Sequence, residues 1–252
     1  MDEIIPLLYE GGYRDLDLNF CEMMNPVSLL KDRRSAGPYI EELRRMKEEF
    51  GLDYHQCHLP YTPDYLSLSP EKKEEHLRDI ELALTYSEEL GIRNAVIHPI
   101  RGSEEANLEY FHEVLKVKPE SIRLAIENME REDEIYKAED LIKLAETLGS
   151  ETGICLDTGH AHIMGQDIAA FIELCGDMLI ATHIADNNGK EDQHLIPGYG
   201  TIEWEKVIPA FRKHYSGFLN YEAMFHGRNL PEEAYKETIR KSIDAGKWLL
   251  SL

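Results

Sequence analysis

Short apolar runs alternate with longer segments in which apolar positions recur at helical spacing, and this alternation persists along the chain. Such a pattern predicts βα units arranged around a parallel sheet. Strands are expected at 14–20, 52–58, 94–98, 121–127, 153–157, 179–184 and 217–222. Helices are expected at 38–50, 70–90, 104–116, 138–148, 167–175, 203–214 and 231–250. The second of these carries its own punctuation: Ser69 is placed to cap it, Pro70 opens it and Gly91 stops it. The opening stretch 2–10, ahead of Gly11 and Gly12, reads as a helix rather than a strand. No linker or low-complexity tract divides residues 1–252, so one domain is expected. The expectation is an α/β barrel of the TIM (β/α)8 type, one unit short, with its first strand missing or irregular.

Polar residues fall at one repeated place in this pattern. His58, His98, Glu127, Asp157, His183 and Glu222 each end an apolar run, as in Ala95-Val96-Ile97-His98 and Ile154-Cys155-Leu156-Asp157. In a barrel the strand C-termini converge on one rim, where active sites lie. Two further groups join them: His160, three residues after Asp157, and the pair Asp192 and His194 in the loop after His183. If that loop is extended, residues two apart share a face, so both side chains reach one ion. Taken singly, each histidine suits a hydrogen-bonded structural role and each acid suits a helix cap. Together at matching positions they predict a divalent-metal site.

The remaining histidines give the contrast. His76, His112, His214 and His226 fall in helices or loops without partners, and alternation turns His55 away from His58. His162 suits either a supporting role beside the site or an exposed one. Tyr61, Tyr65 and Trp204 suit either a sugar face or the core. Asp17 and Asn19 point either to the rim or to a polar barrel interior. The segment 25–38, with Lys31, Arg33 and Arg34, is either a solvated loop or a lid over a phosphorylated sugar.

Charge narrows the partners. Lys+Arg 27 against Asp+Glu 48 leaves a net charge of −21, which repels nucleic acid and anionic membranes. No run of apolar residues is long enough to span a bilayer. Four scattered cysteines without a CxxC pair suit a reducing cytoplasm. Nothing in the sequence sets or forbids association of copies into a homo-oligomer.

From Gly11 to Glu222 the chain resembles the xylose-isomerase-like TIM barrel superfamily. The resemblance rests on His58-Leu59-Pro60-Tyr61, the segment from Glu89-Leu90-Gly91 to Pro99, Glu127-Asn128, Leu156 to His160, His183 to Asn187, Asp192 to Gly200, and Tyr221-Glu222. That group contains sugar and sugar-phosphate isomerases and epimerases, and also zinc-dependent apurinic/apyrimidinic endonucleases. The isomerase branch implies one ion between Glu127, Asp157, His183 and Glu222. The endonuclease branch adds His58 and His98 for a second ion bridged by Glu127, and His160, Asp192 and His194 for a third. One to three ions are therefore implied; the imidazoles suit Zn²⁺, and the carboxylate-rich centre also suits Mn²⁺, Mg²⁺ or Co²⁺.

Three functional readings follow. The first is a sugar or sugar-phosphate isomerase or epimerase, in which Glu127 and Glu222 resemble the acid/base pair that moves a proton through an enediolate. His160, Tyr61, Lys190 and Trp204 are then the candidates for substrate contact. The epimerases carry an arginine six residues after the histidine matching His183; here that place is Gly189, with Lys190 beside it. The second is a metal-dependent phosphoesterase acting on abasic sites, opposed by the negative charge and by the lack of long basic loops. The third is a metal-binding barrel without catalysis.

Overall fold

The computed structural model describes residues 4–223 and 231–252. The apolar runs form β1 (Asp15–Asn19), β2 (Asp53–His58), β3 (Asn94–Ile97), β4 (Arg123–Glu127), β5 (Thr152–Asp157) and β6 (Leu179–His183). All pair in parallel, in the order in which they occur in the chain. The helices are α1 (Ile4–Gly11), α2 (Arg33–Phe50), α3 (Pro70–Leu90), α4 (Glu104–Val117), α5 (Ala138–Leu148), α6 (Thr158–Ile163), α7 (Ile168–Cys175), α8 (Trp204–His214) and α9 (Glu232–Ser251). No helix among the described residues is long and apolar enough to cross a membrane.

The sheet curls on itself, and its two faces are filled differently. Large side chains such as Ile80, Leu84, Phe111, Leu141, Phe171 and Ile172 pack the layer between strands and helices. Inside the curl only a small apolar cluster fits, Val96, Ala125, Cys155 and Ala181. The rest of the interior is polar and bonded across the curl. The Gln56 amide donates to the Thr182 carbonyl (3.2 Å), Asn94 to the Ile180 carbonyl (3.0 Å) and Asn220 to Gln56 Oε1 (2.6 Å). These bonds tie β2 and β3 to the far side of the sheet, which a flat sheet does not permit. The result is a curled half-barrel of the TIM type.

Two expectations need correction. The strand expected at 217–222 is reduced to a single parallel bridge between Ile184 and Tyr221. Thr182 is the reason. Its hydroxyl donates to the Phe218 carbonyl (2.9 Å) and accepts from the Asn220 amide (3.1 Å), taking groups a regular ladder would use. The strand expected at 14–20 is present as β1, its register against β2 shifting between Leu16 and Asp17, and the opening stretch is helical as expected, in α1. Finally, α2 begins at Arg33 rather than at Pro38, because Asp32 accepts from the Ser35 amide (2.9 Å) and caps the helix early. The segment read as a lid or loop is thereby pinned: Lys31 pairs with Asp79 (2.5 Å) and Arg33 with Glu89, both on α3.

Candidate metal centre

The strand ends bring their polar residues to one rim, as the pairing Asp157↔His183 illustrates. Glu127 is the hub, fully buried at the end of β4. Its Oε1 lies 2.9 Å from His183 Nδ1 and 3.7 Å from His160 Nδ1. Its Oε2 lies 3.1 Å from His98 Nε2 and 3.5 Å from His58 Nε2. The two imidazoles of His58 and His98 approach each other at 2.9 Å between Nε2 atoms. On the other side, Glu222 Oε2 stands 3.1 Å from His183 Nδ1. Asp192 Oδ2 lies 2.6 Å from His194 Nε2 and 3.7 Å from His160 Nε2.

Which ring nitrogens face the site is set from outside it. His58 Nδ1 lies 2.9 Å from the Leu59 carbonyl, His160 Nδ1 2.8 Å from that of Asn128, and His194 Nδ1 2.9 Å from that of Glu222. A carbonyl accepts only from N–H, so with Nδ1–H donated outward it is Nε2 that faces the carboxylates, donating to them when protonated and free to bind an ion when not. This is the arrangement by which supporting groups fix the tautomer of a metal-binding histidine. Asp157 has two duties. Its Oδ1 caps α6 by accepting from the His160 amide (2.7 Å), which leaves Oδ2 free.

The donor set fits a divalent cation. One ligand atom each from Glu127, Asp157, His183 and Glu222 lies within 4.8 Å of all the others, as does one each from His58, Glu127 and His183. Asp157 Oδ2 and Glu127 Oε2 are buried and accept no hydrogen bond, although His98 comes close to the latter. Buried carboxylate oxygens left unpaired are costly unless a cation faces them.

The electrostatics follow from this crowding. Burial alone raises the Glu127 carboxyl, but the imidazoles of His183 and His98 outweigh it and hold it well below the usual range. Burial, with Glu222 and Glu127 nearby, pushes Asp157 up to about 7 despite the opposing His160. Burial lowers His183 and His160, yet neighbouring carboxylates hold both well above their ordinary value. Burial and the positive rings around it leave His98 lowered. Protons on imidazoles and a divalent ion are thus alternative ways of offsetting the same carboxylates, so binding an ion releases protons.

A cavity of about 600 Å³ opens above the rim, lined by His58, His98, Glu127, His160, Asp192, His194 and Glu222 together with Tyr61 and Arg101. The Tyr61 ring lies 4.2 Å from that of His98, centre to centre. Two other candidates for substrate contact lie elsewhere. Trp204 is fully buried, its indole N–H donating to Asp186 Oδ2 (2.9 Å), so it serves the core of the loop and not the cavity. Lys190 sits exposed on the loop after β6, outside the cavity lining. Tyr65 likewise packs inward, against His76 and Tyr110. Asn19 lines the cavity, whereas Asp17 lies lower, accepting from Gln56 (2.5 Å) and standing 3.5 Å from His183 Nε2. His162 bonds Thr201 (2.8 Å), His55 packs on Phe218, and His226 lies outside the described residues.

Four contributors were not visible in the sequence. Glu130 reaches 3.5 Å from His160 Nε2. Cys21 Sγ lies 3.1 Å from His58 Nδ1. Arg101 reaches Glu134 (3.0 Å) and Asp64 (3.1 Å), tying together the loops that follow β2, β3 and β4. Asn128, noted only as part of a motif, exchanges two bonds with the backbone of Asp157 (2.7 and 3.0 Å).

Residues 13–245 match the family described as xylose isomerase-like TIM barrel. The chain belongs to that family. The structure superposes on the apo form of 3-keto-D-glucoside 4-epimerase from E. coli with a TM-score of 0.75, at 18% identity, over 99% of this chain and 94% of that one. It superposes on the IOLI protein with a bound zinc atom with a TM-score of 0.72, at 16% identity, over 99% and 91%. In sequence it is 23% identical over 191 residues to a protein named probable endonuclease 4 from Thermoplasma acidophilum, covering 69% of this chain and 66% of that one. At these identities the superpositions establish a shared fold.

Proposed function

We propose that this chain is a divalent-metal-dependent sugar isomerase or epimerase. The observation that carries the reading is that Glu127 and Glu222 both line one cavity and both approach His183 Nδ1, at 2.9 and 3.1 Å. Glu127, Asp157, His183 and Glu222 hold the ion, which when bound polarises a carbonyl and its neighbouring hydroxyl. The chain's own residues do the rest. One of the two glutamates removes the proton from the carbon beside the carbonyl and the other delivers a proton, through an enediolate. His160 orients substrate oxygens, and Tyr61 offers an aromatic face to the sugar carbons.

The lining also bears on substrate charge. Arg101 is the one basic side chain it presents among the described residues besides histidine, and its guanidinium is already engaged by Glu134 and Asp64. An uncharged ketose or aldose suits that lining better than a sugar phosphate. Support from relatives is of the same kind, since a neighbour in structure acts on a keto-glucoside and another holds zinc.

The test is solvent-deuterium incorporation into a panel of free ketoses and aldoses, with the protein supplied with Mn²⁺ or Zn²⁺. Incorporation is expected at the carbon beside the carbonyl, falling about 10²–10⁴-fold in Glu127→Gln and in Glu222→Gln. No incorporation into any sugar, with metal bound, overturns the reading. Phosphoester hydrolysis remains the second reading because His58, His98, His160, Asp192 and His194 all join the same rim, as a multinuclear site requires. Cleavage of abasic DNA by the same preparation decides for it; the net charge of −21 weighs against it.

A further inference from the structure

His58, His160 and His194 turn Nδ1 outward to a backbone carbonyl, but His183 is mounted the other way round. Its Nδ1 faces Glu127 Oε1 (2.9 Å) and Glu222 Oε2 (3.1 Å). The ring is buried and stacks on that of His58, their planes 9° apart. For Nδ1 to serve as a ligand, the ring proton must sit on Nε2, which points away from the two glutamates.

Asp17 faces that nitrogen. Its Oδ2 stands 3.5 Å from His183 Nε2, at the outer limit of a hydrogen bond, and among the described residues no other carboxylate pairs with that atom. The register shift puts it there. β2 carries one residue more than β1 at that point, so Asp17 pairs with Gln56 rather than with His55. Gln56, fully buried, then aims the carboxylate. Its Nε2 donates to Asp17 Oδ2 (2.5 Å) and to the Thr182 carbonyl (3.2 Å), while its Oε1 accepts from Asn220 (2.6 Å). Held at both ends, that carboxamide cannot turn over, so it always offers Asp17 a donor.

Asp17 itself is incompletely satisfied. Its Oδ1 is buried and accepts no hydrogen bond. The bonds across the curl are otherwise made by the neutral carboxamides of Gln56, Asn94 and Asn220. A charge in such a place calls for a positive neighbour, and the ring beside it is that of His183.

We propose that Asp17 is a positioning residue, whose carboxylate keeps the His183 ring proton on Nε2 and so keeps Nδ1 available to the ion shared with Glu127, Asp157 and Glu222. This rests on the reading of those four residues as ligands. It assigns Asp17 no contact with ion or substrate.

The experiment is NMR spectroscopy of the histidine ring nitrogens in the full-length protein, with and without Zn²⁺, for the wild type, Asp17→Asn and Asp17→Ala. The His183 signals are assigned by their loss in His183→Gln. Zinc affinity is read at the same ring, in competition with a chelator, so that ions bound elsewhere do not enter. In the zinc-loaded wild type Nδ1 is expected to carry the ion, with an Nε2–H proton slow to exchange with water. In Asp17→Asn the amide oxygen takes the place of Oδ2, because Gln56 donates to it, which keeps an acceptor but removes the charge. In Asp17→Ala the acceptor is gone and the Nε2–H signal is expected to be lost to exchange. Affinity is expected to fall about 10-fold in the first variant and about 100-fold in the second. If Asp17→Ala does not fold, the near-isosteric Asp17→Asn decides alone. A variant with a changed melting temperature but unchanged Nε2–H exchange and zinc affinity overturns the proposal and leaves Asp17 a residue of the polar interior. So does zinc bound through Nε2 in the wild type. His183 signals that do not move when Zn²⁺ is added to the wild type overturn the ligand reading itself, and are recognised before any variant at position 17 is made.

Discussion

Each site histidine owes its usefulness to an atom that is not in the site. His58, His160 and His194 turn Nε2 inward because a backbone carbonyl engages Nδ1. His76 shows the opposite use of an imidazole. It is buried on α3 against Tyr110, 3.1 Å from the phenol oxygen, and burial lowers it to about 4 from 6.5. Between those values the unfolded chain binds the proton and the fold does not. Its contribution to stability is therefore complete above pH 6.5 and is lost as the pH falls towards 4. From pH 7 to pH 5 the loss is about 1–2 kcal/mol. Asp15, raised to about 6 by burial, works the other way, its contribution being lost as the pH rises through that value. Urea midpoints at pH 7 and 5 for wild type and His76→Gln separate the two, since Asp15 is common to both. The variant is expected to lose less stability between these pH values, and equal losses would show that His76 is not buried neutral. At this scale the sequence was legible where a polar residue ended an apolar run. It was not legible for Asp186 or Arg101, whose partners lie in segments that meet only in the fold, nor for Trp204, since an aromatic residue does not declare its burial.

Between elements, the site depends on side chains that imitate backbone. Asn128 follows β4 directly and lies fully buried; its carboxamide accepts from the Asp157 amide and donates to the Asp157 carbonyl, extending the β4–β5 pairing by one step. Its own carbonyl engages His160. Asn128→Leu keeps the volume and leaves two buried backbone groups of Asp157 unpaired, at a cost of about 2–5 kcal/mol. Urea unfolding measures that loss. The same variant is expected to weaken metal binding, because Asp157 is no longer held in place. Helices with strong punctuation were read closely: α3 and α5 have the expected bounds, and α3 has Ser69, Pro70 and Gly91 in the predicted roles. Errors arose where side chains replaced ladder bonds, as Thr182 does beside Tyr221, or where a cap lay upstream of an apparent proline start, as Asp32 does before Pro38.

For the molecule as a whole, a net charge of −21 and a rim built on buried carboxylates set two opposing demands on the same electrostatics. The surface charges repel one another through solvent, and salt screens them; those around Glu127 lie within a few ångströms of one another at a largely buried rim, where salt screens them much less. Sodium chloride and divalent metal should therefore stabilise the protein independently. Raising ionic strength from about 0.01 M to 0.5 M shortens the Debye length from about 30 Å to a few ångströms and is expected to raise the melting temperature modestly, with or without metal. A divalent ion acts by mass action on the folded state alone. At a hundred times its dissociation constant it contributes about 2.7 kcal/mol, so chelation should lower the melting temperature and Zn²⁺ should restore it. That metal-dependent shift should survive in high salt and vanish in Glu127→Gln. It should also shrink as the pH falls from 8, because the ion must displace protons from His183 and His160, which their carboxylate partners hold well above the ordinary histidine range. Scanning calorimetry across salt, chelator and pH measures all three dependences. A metal effect abolished by salt alone would mean that the ions screen the acidic surface, and that the rim of histidines and carboxylates is held together by its own protons.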